Sequence, residues 1–175
     1  MRTLGIVAAL ALGAIVITDG QAGIDAKLQT QLKRAFPPAV RFDPKGGTPP
    51  HFKVYGKDAS GAETLAGYAF WTTELQPLER AYDGPIKMLV GMDLKGILTG
   101  IVVVEHHEPY GDFSVDTAAF AAQFRGKDIR DPFKVGSDID AISRATISVT
   151  SASRAVRNSA RRIAREVMMP AGSTR

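Results

Sequence analysis

Apolar positions along this chain change period several times, and each change predicts an element. Two apolar runs, 86–93 and 97–105, are separated only by Leu94-Lys95-Gly96. Runs of this length, rich in β-branched residues and joined by a Gly-containing turn, predict a β-hairpin. Residues 51–56 read as a short strand with its turn at 57–61. Residues 64–73, aromatic and β-branched, read as another strand. Helical spacing replaces alternation elsewhere. Leu28, Leu32 and Phe36 fall on one stripe, with Asp25 placed to cap the helix start and Pro37-Pro38 to stop it. Phe120 and Phe124 give residues 116–124 the same spacing. Ala152, Val156, Ala160, Ile163 and Val167 give an inward stripe to a long helix expected from Thr150 or Ser151 to Met169, ended by Pro170. Segments 43–50 and 127–137 are polar and punctuated by Gly and Pro, so both read as loops. This order predicts an α+β fold, an antiparallel sheet packed against helices with a long C-terminal helix.

The apolar run 4–18 stands apart from that pattern. It follows Arg2 and precedes Gly20-Gln21-Ala22, the layout of a secretory signal peptide, and it is short for a membrane span of ~20 residues. We therefore expect residues 1–22 to be an export signal, with an uncleaved membrane anchor as the alternative. Residues 23–170 then form one domain and 171–175 a loose tail. Cleavage after Ala22 removes Arg2 and Asp19 and leaves the net charge at +4. An excess this modest, with an export signal and no recognised nucleic-acid motif, argues against nucleic acid as a partner. Arg154, Arg157, Arg161 and Arg165 line one side of the long helix. They read as a solvated face, with docking to an acidic redox partner or anionic lipid as the second reading. The chain has no cysteine. Disulfides, thiolate-held iron–sulfur clusters and c-type haem attachment are thereby excluded, so redox chemistry would need a cofactor independent of thiols.

The stretch Asp140-Ala141-Ile142-Ser143-Arg144-Ala145-Thr146 resembles the covalent attachment motif of exported FMN-binding domains, Asp-x-x-Ser/Thr-Gly-Ala-Thr/Ser. A second line of resemblance follows the order Gly84-Pro85-Ile86, the two apolar runs, Glu105-His106-His107-Glu108-Pro109, and Phe124-Arg125-Gly126-Lys127-Asp128. Together they cover about 67–156. The domain type is that of the membrane-bound regulators of nitrous oxide reductase expression and of the G and C subunits of ion-pumping Rnf and NADH:quinone complexes. The resemblance implies FMN joined by a phosphoester to Thr146, within a motif that includes Asp140, Ser143, Arg144 and Ala145. It also implies a maturation partner, an FAD-dependent flavin transferase using Mg²⁺, which Asp140 would serve during modification. Arg144 departs from the pattern. Glycine is usual there, as a backbone angle or a close approach would require. An arginine either pairs with the flavin phosphate or marks a site that no transferase accepts.

His106 and Glu108 match a turn that borders the flavin in relatives; the alternative is a solvated strand end. If the strand continues, His106 and His107 point to opposite faces, so one metal ion could not readily collect both. Tyr68 and Trp71 read as core rather than as flavin-stacking residues. The expected function is a periplasmic electron carrier, with FMN linked to Thr146, exchanging electrons with membrane or periplasmic redox partners. The alternative is a regulatory or scaffold module of the same fold without flavin. A hydrolase has no support, for no Gly-x-Ser-x-Gly is present.

Overall fold

In the computed structural model, which describes residues 23–75 and 77–169, five strands make one antiparallel sheet in plain chain order. They are β1 (Arg41–Phe42), β2 (Phe52–Lys57), β3 (Glu63–Trp71), β4 (Lys87–Asp93) and β5 (Leu98–Glu105). The expected hairpin is β4–β5, with Val90 opposite Ile101 and Gly91 opposite Gly100. Its turn is closed by Asp93, whose carboxylate accepts from the backbone of Lys95 at 2.8 Å and of Ile97 at 2.9 Å. Only β1, two residues long, has no counterpart in the apolar pattern; its pairing with Val54 and Tyr55 of β2 creates it.

Helices cover both faces of the sheet. On one, Leu32 and Ala35 from α1 (Ala26–Ala35) and its C-cap Phe36 meet Phe52, Val54, Ala69, Trp71, Leu89 and Val102. On the other, Tyr68, Phe70, Met88, Val90 and Met92 meet Phe120 of α2 (Ala118–Ala122), Phe124 just beyond it, and Val149, Ala152, Val156, Ala160 and Ile163 of α3 (Thr146–Ile163). Alternation along β3 and β4 thus feeds two cores, and each fully buried large side chain contributes roughly 1.5–3 kcal/mol. Tyr68 and Trp71 are core residues, one on each face. Asp25 caps α1 by accepting from the Leu28 amide at 2.7 Å.

The long helix differs from expectation at its start. It begins at Thr146, not at Thr150 or Ser151, and continues past Ile163 as a π turn over Ala164–Met168. Thr146, Ile147, Val149 and Thr150 are β-branched and weak helix formers. Burial of Ser148 and Val149 against the sheet overrides that preference. Buried Ser153 is satisfied within the helix, donating to the Val149 carbonyl at 2.7 Å.

The arginine stripe of α3 is also less solvated than expected. Arg161 donates to the carbonyls of Ile129 at 2.6 Å and Asp131 at 3.0 Å, and Arg157 to that of Pro132 at 3.2 Å. Arg154 pairs with Glu79 at 3.0 Å. These side chains fasten loops to the helix. The expected signal segment, Pro170 and the tail lie outside the described residues. Among the described residues no helix is long and apolar enough to cross a membrane.

Candidate cofactor site

The N-terminus of α3 is built around an unusual backbone. Arg144 has φ +67°, the left-handed region that costs a residue with a Cβ about 1–2 kcal/mol. A glycine would adopt it freely, which is the backbone angle foreseen for this motif position. The turn ends at Ala145, whose amide reaches the Ile142 carbonyl at 3.1 Å. Ala145 then serves as the helix cap, and no side chain bonds to the free amides of the first turn, which also holds no acidic residue. Such a terminus presents unpaired N–H groups and a partial positive charge, the donor set that a phosphate takes.

Thr146 is the first helical residue, and it is exposed. Two hollows lie at this end of α3, and Thr146 lines the first. One, about 370 Å³, is lined by Tyr82, Pro109, Tyr110 and Arg144 to Ser148. The other, about 280 Å³, is lined by Tyr110, Phe113 and Ile142 to Ala145. They share Tyr110, Arg144 and Ala145. Around them stand apolar side chains that a folded chain ordinarily hides: Tyr82 is 68% exposed, Phe113 79%, Ile147 56% and Tyr110 49%. Apolar side chains clustered at a concave surface beside free amide donors suit a ligand with a planar ring and an anionic tail. The residues present therefore fit FMN: first-turn amides and Arg144 for its phosphate, and the exposed aromatics for its ring.

The other residues singled out by sequence take different places. Ser143 and Ala145 line the second hollow. Asp140 is exposed at the foot of the same turn, its backbone amide donating to the Gln123 side chain at 2.6 Å. His106 and Glu108 follow the end of β5 and are not among the residues lining either hollow. Glu108 is buried. Its carboxylate accepts from the backbone of Asp83 at 3.0 Å, the backbone of Tyr82 at 3.2 Å and the hydroxyl of Ser148. His106 Nδ1 accepts from the Glu108 amide at 3.1 Å, so in the neutral ring Nε2–H donates to Asp116, at 2.9 Å. Gly111 makes room for that ring, since a Cβ there would stand 1.9 Å from His106 Cε1. The aromatic lining residues Tyr82, Tyr110 and Phe113 were not anticipated. The available signal was large apolar side chains inside polar, Gly- and Pro-bearing loops.

Residues 81–161 match the family described as the FMN-binding domain. These residues carry a domain of the FMN-binding domain family. The match contains the stretch 140–146 and both hollows. Similar proteins include the Regulatory protein NosR of Pseudomonas aeruginosa, 32% identical over 148 residues, which are 77% of this chain and 19% of that protein. They also include the G subunit of the ion-translocating oxidoreductase complex of Haemophilus influenzae, 39% identical over 59 residues, 34% of this chain and 26% of that protein. The FMN-binding chain thus spans about a fifth to a quarter of the length of these relatives.

Proposed function

We propose that the chain is a periplasmic electron-transfer flavoprotein that carries FMN as a phosphoester on Thr146. The single observation that supports this best is the position of Thr146. It is an exposed residue, the first of α3, it lines a hollow rimmed by exposed aromatics, and it follows the left-handed turn at Arg144. In the attachment step the Thr146 hydroxyl oxygen bonds to the phosphorus of the FMN half of FAD. The bond from that phosphorus to the bridging oxygen breaks, AMP leaves, and the hydroxyl proton passes to a base of the transferase. Asp140, exposed at the start of the motif, serves that enzyme. When bound, the flavin supplies one- and two-electron redox chemistry. The chain's own residues tether it, offer its phosphate the first-turn amides and Arg144, and cover its ring with Tyr82, Tyr110 and Phe113. The name of one relative, a subunit of an ion-translocating oxidoreductase complex, favours a redox partner at a membrane.

Export with a flavin transferase, followed by denaturing electrophoresis under ultraviolet light, tests the linkage. Wild type should give a fluorescent band that survives denaturation, and Thr146→Ala a dark one. A fluorescent Thr146→Ala band would place the linkage elsewhere. A dark wild-type band would favour a flavin-free binding module.

A further inference from the structure

We infer that Glu108 is the positioning residue of the FMN site: one buried carboxylate holds the three separate chain segments that wall the larger hollow. Those walls are Tyr82, the pair Pro109–Tyr110, and the run from Arg144 to Ser148. Glu108 lies next to the second wall in sequence and bonds to the other two. Oε1 accepts from the Asp83 amide at 3.0 Å and Oε2 from the Tyr82 amide at 3.2 Å, while Ser148, two residues after Thr146 in α3, donates its hydroxyl to Oε2. Both partners are buried, Glu108 at 7% and Ser148 at 5% exposure. The Ser151 hydroxyl of α3 ties the neighbouring Arg80 carbonyl at 2.9 Å, whereas the Tyr82 and Asp83 amides take Glu108 as their acceptor. Among the described residues the regular pairing of the Tyr82 segment is one isolated bridge, Ala81 to Gly84, and the Tyr82 side chain faces solvent. From behind, His106 and Asp116 hold the turn that carries Glu108. Glu108 therefore acts on the flavin through Tyr82 and α3 without lining the hollow.

The proposal rests on the FMN reading, so its test needs one readout with flavin and one without. Amide hydrogen exchange and the visible circular dichroism of the flavin supply them. In Glu108→Ala, the Tyr82 and Asp83 amides should exchange about tenfold faster or more, as loss of a buried acceptor implies. Amides of β3 and β4 should keep their wild-type protection. FMN attached at Thr146 should lose most of its visible dichroism and gain fluorescence, because its ring is no longer held between fixed walls. Glu108→Gln offers one carbonyl oxygen where two acceptors stood. It should therefore release one of the two amides and give an intermediate flavin signal. Ser148→Ala should free the helix side only, leaving both amides protected and the dichroism partly reduced. Unchanged exchange at Tyr82 and Asp83 in Glu108→Ala would overturn the clamp. Faster exchange with an unaltered flavin spectrum would overturn its role at the site. A wild-type chain without FMN would overturn the functional reading instead, and the exchange data would still decide the clamp.

Discussion

Arg144 and Thr146 carry most of the chemical argument, and they were readable to different degrees. The motif pointed to Thr146, just ahead of the expected helix; the structure adds that Thr146 is exposed and is itself the first residue of a helix without a side-chain cap. Arg144 stood out as a side chain where the resembled family uses glycine, and φ +67° supplies the physical reason for glycine. Relieving that angle has a measurable consequence. Arg144→Gly should raise stability by about 1 kcal/mol or less, since the gain in backbone freedom of the unfolded chain offsets part of the relief. Denaturant melts of the flavin-free protein check it, and a loss of stability would mean that Arg144 makes contacts outweighing its backbone cost. His106 and Glu108 could be singled out from sequence by their match to a turn that borders the flavin in relatives. Nothing in the sequence could show that Glu108 turns inward to two amides at 82–83 and a serine on α3, because those partners lie 25 to 40 positions away.

Elements were legible where local chemistry and burial agree. The β4–β5 hairpin and α1 show this, each with its turn or cap residue in place. The start of α3 was not legible, because β-branched residues there favour extended backbone until tertiary burial decides. Close approach between elements also escaped the sequence. The end of α1 lies on Gly91 and Gly100, opposite each other in the hairpin, and Thr99 donates to the Ala35 carbonyl at 2.7 Å. A Cβ on Gly91 would stand 2.4 Å from that same carbonyl oxygen. Gly91→Ala should therefore cost about 1–3 kcal/mol by pushing α1 off the sheet, read as a lower denaturation midpoint with the attachment loop intact.

The loop after α2 gives a prediction in acid. Hydrogen bonds from the Arg130 side chain, then its backbone, hold the Asp128 carboxyl down at about 2. Burial pushes Asp138 up, but the Lys134 and Phe133 amides and the Lys127 ammonium outweigh it and leave its pKa lowered. Both groups bind protons more weakly folded than unfolded. Their stabilisation is present above pH ~4, the unfolded carboxyl range, and is lost as pH falls through the lowered folded values. Asp128→Asn should lower stability at neutral pH and flatten its decline between about pH 4 and pH 2. An unchanged acid slope in urea melts would contradict the assignment.

Taken whole, the molecule is a sheet with a helix layer on each face, and its α+β class followed from the order of apolar periods. The two layers do different work. α1 closes one core over the glycine pair, whereas α3 closes the other and places Thr146 at its exposed end. The arginines along α3, read from sequence as a solvated or docking face, mostly bind the 129–132 loop and Glu79. Among the exposed apolar side chains, Tyr82, Tyr110, Phe113 and Ile147 stand around the start of α3. That asymmetry suits a carrier that presents its cofactor at one end of a rigid body. The intact mass of the chain, exported with a flavin transferase, tests this account most directly. It should exceed the mass of the unmodified chain by one FMN less one water, with fragmentation placing the addition on Thr146. An unmodified chain from a host in which the transferase is active would contradict it.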